Sequence, residues 1–114
     1  MEFQIPENCG NSPRMMIVAE LARAWGEDDR PHLDEWLEAD ATWSVHPQET
    51  TLGFKSLALD NVVTHGRVGS CDGLAVRADG SMVHFAHFFV FASTAKTAKV
   101  RRVTSYVVSS TGAA

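Results

Sequence analysis

The stretch S-M-V-H-F-A-H-F-F-V-F-A-S (residues 81–93), followed by T-A-K-T-A-K (94–99) and V-R-R-V-T-S-Y-V-V-S (100–109), decides the fold. Two β-rich runs flank a short polar loop, which predicts a long antiparallel hairpin. Side chains alternate across a strand, so Val83, Phe85, His87, Phe89 and Phe91 share one face, and His84, Ala86, Phe88 and Val90 share the other. Both faces are largely apolar, and neither is a plain solvated surface. The N-terminal helices can cover one. The other needs a second cover, and a partner subunit is the economical source.

Upstream of the hairpin the pattern changes. Ser12-Pro13 is a helix start, because serine can cap and proline is tolerated at the first helical position. Ile17, Leu21 and Ala24, with Val18, Ala22 and Trp25, repeat at helical spacing up to Gly26, a candidate stop. Glu27-Asp28-Asp29 is a polar link whose acids suit the next helix N-terminus. Pro31 opens a short second helix with Leu33, Trp36 and Leu37 on one face. Trp25 and Trp36 read as core packing.

The run Ala41 to His46 alternates and ends at Pro47, which predicts a short strand. Residues 53–57 leave room for at most one or two helical turns. Leu59 to Thr64 is strand again, with a turn at His65-Gly66. Arg67 to Arg77 is a further strand, in which Gly69 and Gly73 mark a bulge or bend. Asp79-Gly80 predicts a tight hairpin of the primed type. Helices first and strands after give an α+β fold.

The chain has 114 residues, enough for one domain with its own core. A net charge of −4 argues against nucleic acid as a partner, which would require a basic face. No apolar run approaches a membrane span, and the first ten residues lack a signal-peptide pattern. Cys9 and Cys71 carry no metal spacing and read as reduced thiols, which suits a cytoplasm. His84 and His87 fall on opposite strand faces and cannot form a metal pair. No phosphate-binding glycine loop, nucleophile elbow or paired-carboxylate motif occurs, so neither a cofactor nor a metal is expected.

If Phe91 pairs with Val100 and the register continues unbroken, Phe89 faces Arg102, His87 faces Thr104 and Phe85 faces Tyr106. The inner aromatic face then gains a polar cluster. It is either a self-satisfied network or the lining of a pocket, and the residues leave both open. The expected ligand-binding set is Trp43, Phe85, His87, Phe89, Arg102, Thr104 and Tyr106. His87, Tyr106 and His46 are the candidate catalytic residues: a histidine as general base and Tyr106 as a hydrogen-bond donor. Against this stand packing roles for His87 and Tyr106 and a strand-end role for His46.

The element order resembles the nuclear-transport-factor-2-like superfamily, which includes the SnoaL-like polyketide cyclases and ketosteroid isomerase. The carrying residues are D-A-T-W-S-V-H-P (40–47), Gly53-Phe54, N-V-V-T-H-G-R (61–67), Asp79-Gly80, Phe89 to Phe91, and V-T-S-Y-V-V (103–108). The resemblance implies a cone-shaped, curved antiparallel sheet with N-terminal helices on its concave face. The single domain would span residues 12–110, with 1–11 and 111–114 as flexible termini. Among such proteins it is similar to small single-domain members with no settled function. It implies a pocket for a small apolar or aromatic molecule and a homodimer formed through the outer sheet face. An enzyme of isomerase, dehydratase or cyclase type and a ligand-free dimerisation module are the alternatives. Isomerase chemistry does not carry over residue by residue. Where ketosteroid isomerase has a carboxylate base, this chain has Val45, or His46 after a one-residue slip, and His87 stands where the small relatives suggest an acid. The third helix of the superfamily is nearly absent here.

Overall fold

The computed structural model describes residues 1–110. Helix α1 covers Pro13–Glu27 and α2 covers Arg30–Trp36. The strands are β1 (Glu2–Gln4), β2 (Leu37–His46), β3 (Ser56–His65), β4 (Val68–Val76), β5 (Met82–Phe91) and β6 (Val100–Ser110). They form one sheet in the order β1-β3-β4-β5-β6-β2. The fold is α+β, as expected. The sheet is mixed rather than purely antiparallel: its central ladders are antiparallel, while β1 runs parallel to β3 and β2 runs parallel to β6.

Helix α1 buries Val18, Leu21, Ala22, Ala24 and Trp25 at the expected spacing. Its start lacks a hydrogen bond from the Ser12 side chain, and its left-handed stop falls at Asp28 (φ 57°) rather than at Gly26. Aspartate is among the few residues that enter the left-handed region readily. Asp29 then caps α2, its carboxylate accepting from the His32 N–H at 3.3 Å. Asp29 also joins Glu20 and Glu27 around the Arg23 guanidinium.

Among the described residues no third α-helix forms between β2 and β3. Gly53 and Phe54 instead donate their backbone N–H groups to the Gly26 carbonyl, each at 3.0 Å. Phe54 is buried with its ring 5.5 Å from that of Trp25. One phenylalanine thus closes the end of the core that a helix would otherwise cover. The N-terminal segment, expected to fray, contributes strand β1 at the β3 edge and a short 3-10 turn (Glu7–Asn11) holding the fully buried Cys9. Strand β6 runs to Ser110; the expected flexible C-terminus, residues 111–114, lies outside the described residues.

The glycine expectation in β4 holds at Gly73, which sits opposite a break in β3 register between Leu59 and Asn61. A Cβ on Gly73 would lie 2.0 Å from the Ala58 carbonyl oxygen, so the bulged backbone passes where a side chain would be. The hairpin at Asp79-Gly80 is present but not of the primed type. Only Gly80 has positive φ (87°), and Gly80 N–H bonds the Arg77 carbonyl at 2.9 Å. That pattern is a turn of ordinary hand followed by a left-handed glycine, the usual three-residue connection.

Strand β5 alternates as read: Val83, Phe85, His87, Phe89 and Phe91 are all buried. Strand β6 departs from the expected register. Phe91 pairs with Val100, but Val90 then pairs with Arg102, Phe89 with Val103, His87 with Ser105 and Ala86 with Tyr106. One extra residue in β6 sets Arg101 and Arg102 both into solvent. Unbroken alternation would turn the Arg102 guanidinium into an apolar core with no counter-charge, which is far costlier than a bulge. Val103, Ser105 and Val107 therefore face inward.

Candidate functional site

The inner face centres on His87, which has no exposed surface. Its ring lies 4.5 Å from Trp25 in an edge-to-face contact, 5.0 Å from Phe85, 5.9 Å from Phe89 and 6.2 Å from Trp43. Strand β5 supplies Phe85, His87 and Phe89, helix α1 supplies Trp25, and edge strand β2 supplies Trp43. A polar chain crosses this cage. The Trp43 Nε1–H donates to Ser105 Oγ at 2.9 Å, and Ser105 Oγ lies 2.6 Å from His87 Nδ1.

An indole N–H can only donate, so Ser105 Oγ accepts from Trp43. The hydroxyl keeps a second lone pair and one hydrogen, so it pairs with His87 Nδ1 in either tautomer of the imidazole. Nε2 is buried without a hydrogen-bond partner among the described residues. Burial pushes the His87 pKa down to about 3, because the charged form has no water and no carboxylate to stabilise it. His87 is therefore neutral at neutral pH.

A cavity of about 240 Å³ opens beside this cage, between α1, α2 and the inner side of β2. Trp25 and Trp43 form its aromatic walls, Leu33, Leu37 and Leu52 its aliphatic ones, and Arg30 and Glu49 are its charged groups. His87 is not in its wall. The two indoles stand between His87 and the opening.

The expected site residues thus separate into two groups. Trp43, Phe85, His87 and Phe89 come together on the inner face. Arg102, Thr104 and Tyr106 do not join them: the β6 bulge turns all three to the outer face, where Tyr106 is 50% exposed. Of the candidate catalytic residues, His46 and Tyr106 do meet, their rings stacked 5.4 Å apart, but on the face opposite His87. No constellation of base and donor is assembled from the three. Sequence reasoning missed Ser105, the partner His87 actually has, and treated Trp25 only as packing. The adjacent arginines at 101 and 102 were the signal that could have corrected the register.

Cys9 and Cys71 are free and buried, and burial pushes the Cys71 thiol well above its ordinary range. Among the described residues no cluster of three or more His, Cys, Asp or Glu side chains is placed to hold a metal. No helix among them is long and apolar enough to cross a membrane.

A mixed sheet backed by two N-terminal helices, with an aromatic inner face and a cavity at its mouth, defines an α+β cone. Its particular form is the nuclear-transport-factor-2-like fold. A solved NTF2-like protein of unknown function from Cytophaga hutchinsonii is similar to it with a TM-score of 0.59 and 16% identity, over 82% of this chain and 97% of that one. The sequence matches no family model and no curated protein.

Proposed function

We propose that this domain binds a small apolar or aromatic molecule at the mouth of the cone, against Trp25 and Trp43. The observation that carries this reading is the cavity itself. It is walled by two indoles and three leucines, with Arg30 and Glu49 able to orient a polar end of the ligand. Such a mixture of aromatic walls and few charged groups is typical of small-molecule sites. The Trp43 ring is held by its bond to Ser105, so one wall is ordered before a ligand arrives. The deep interior, by contrast, is filled by Phe85, His87, Phe89 and Trp25. An isomerase, dehydratase or cyclase reading with His87 as base has little support, since that imidazole reaches neither solvent nor the cavity.

The test is titration with p-cresol, followed by the indole N–H resonances of the tryptophans. At about 0.5 kcal/mol per heavy atom, between the limits for tiny and drug-sized ligands, an eight-atom phenol would bind with a Kd on the order of 1 mM. Trp25 and Trp43 should shift and saturate together while Trp36 stays fixed. Equal, non-saturating shifts of all three indoles would sink the reading.

A second reading, compatible with the first, is homodimerisation through the outer sheet face. It rests on Val63, Val68, Phe88, Tyr106 and Val108, which are 45–64% exposed on one side of the sheet. The rings of Phe88 and Tyr106 lie 6.0 Å apart in an edge-to-face contact. A Phe88→Glu change should then convert a dimer to a monomer in sedimentation; a wild-type chain that sediments as a monomer at high concentration removes this reading. The free, buried thiols support a reducing compartment such as the cytoplasm.

A further inference from the structure

A larger cavity lies on the other side of the loop that follows β2. It measures about 410 Å³ and is bounded by residues 47–51, by Arg77 at the end of β4 and by residues 107–109 of β6. Its central group is the Arg77 guanidinium. One terminal nitrogen donates to Thr50 Oγ1 at 2.7 Å and approaches the Thr51 carbonyl at 3.4 Å, and the other reaches Ser81 Oγ at 3.4 Å. The guanidinium also sits 5.2 Å from the Phe54 ring centroid. Arg77 is thus positioned by neutral acceptors and an aromatic ring, and it makes no ion pair among the described residues. Asp79 is near enough to feel its charge, but the Asp79 oxygen is committed to Ser81 N–H and Oγ at 2.9 and 2.7 Å.

Neutral partners hold a cation in place without cancelling its charge, and the Nε–H and the second hydrogen of the nitrogen facing Ser81 remain to meet a carboxylate. The surroundings add donors. Thr50 accepts from Arg77, so its own hydroxyl hydrogen is available. The Thr51 and Ser109 hydroxyls line the same cavity and are uncommitted among the described residues, as are the backbone N–H groups of 48–51. Val107, on the inner face, and Pro47 supply apolar surface beside these donors. Glu49 stands in the wall without an ion-pair partner among the described residues, and it opposes a second negative charge.

We propose that the cavity between the β2–β3 loop, Arg77 and the end of β6 binds a small organic carboxylate, with Arg77 and Thr50 holding the carboxylate group and Val107 and Pro47 carrying its apolar tail. One fixed positive charge with Asp79 nearby and Glu49 in the wall favours a monoanion over a dianion such as phosphate. The site is independent of the tryptophan pocket, although Glu49 borders both.

The experiment is titration of the full chain at neutral pH with hexanoate, hexanamide and inorganic phosphate, read from the amide resonances of Thr50, Thr51 and Ser109 and the Arg77 Nε–H. Hexanoate should saturate these resonances, with hexanamide and phosphate at least tenfold weaker. The Trp25 and Trp43 indoles should stay fixed, which separates this site from the mouth pocket. Arg77→Gln should weaken hexanoate at least tenfold. Glu49→Gln, an exposed change that leaves the fold intact, should tighten hexanoate two- to fivefold and let phosphate bind. Equal binding of hexanamide, a preference for phosphate in the wild type, no gain in Glu49→Gln, or no saturable shift with hexanoate would each overturn the proposal. Should Arg77→Gln fail to fold, the hexanoate-to-hexanamide ratio and the Glu49→Gln variant still decide it.

Discussion

Acidification should weaken this domain through His87 before its carboxylates begin to matter. The unfolded chain presents an ordinary imidazole with a pKa of 6.5, whereas the folded state holds His87 at about 3. The folded pKa is depressed, so the unfolded state takes up the proton first. The stability that His87 contributes is complete above about pH 6.5 and is lost as pH falls toward 3. Each pH unit inside that window costs about 1.4 kcal/mol. Between pH 7 and pH 5 the loss is about 2 kcal/mol, a large part of the total for a domain of this size. Nothing near the ring would offset it. The groups packed on it are Trp25, Trp43, Phe85, Phe89 and the Ser105 hydroxyl, and the neighbouring strand presents Cys71, whose thiol burial keeps protonated.

The assay is urea denaturation followed by tryptophan fluorescence at pH 7 and pH 5, with protein concentration held constant. Asp29 and Asp79 also have depressed pKa values, from hydrogen bonds to the His32 N–H and to Ser81 respectively. Their contributions are present above the ordinary carboxylate value of 3.8 and fade only beneath it, outside the chosen interval. The control is His87→Phe, which keeps an aromatic ring in the cage and removes the titration. It should cost about 1–2 kcal/mol at pH 7 by stranding the Ser105 hydroxyl, and it should lose most of the pH 7-to-5 slope. The other histidines cancel in the comparison. A variant with the same slope as wild type, or a wild type that loses under about 0.5 kcal/mol across the interval, would refute the reasoning.

Two further changes probe how the interior is held. Ser105→Ala removes the shared partner of Trp43 Nε1 and His87 Nδ1 and should cost about 2–4 kcal/mol in the same urea assay; a loss within error of zero would mean that the chain is not formed in solution. Gly73→Ala drives a Cβ into the Ala58 carbonyl, a backbone atom 2.0 Å away, and should cost more than about 3 kcal/mol or abolish soluble expression; a cooperative, wild-type melt would show that β3 does not bulge there.

Parity within one strand was readable because β5 carries no irregularity and its odd positions are uniformly large: Phe85, His87, Phe89 and Phe91. Helix α1 was readable for a similar reason, since its apolar stripe is local. The missing pieces depend on contacts distant in sequence. Strand β1 is three residues long and exists because β3 offers it an edge, and nothing in Glu2–Gln4 announces that. The same holds for Phe54, which replaces a helix by packing on Trp25, a residue far earlier in the chain.

The candidate site was harder than the fold because it needs two strands in register, and a slip of one residue in β6 reverses every side chain beyond it. Arg102, Thr104 and Tyr106 therefore left the inner face together, and Val103, Ser105 and Val107 replaced them. The deciding comparison was energetic and available beforehand. Unbroken alternation demanded a buried, unpaired guanidinium at 102, while one bulge places Arg101 and Arg102 in solvent and leaves Arg101 3.2 Å from Glu38. Even a discounted cost for the buried charge, several kcal/mol, exceeds what one displaced ladder bond loses, about 1 kcal/mol. The same inequality makes the inner face a hydroxyl–imidazole chain rather than an arginine–tyrosine pocket, and it is why the ligand reading moves outward to the indoles at the mouth.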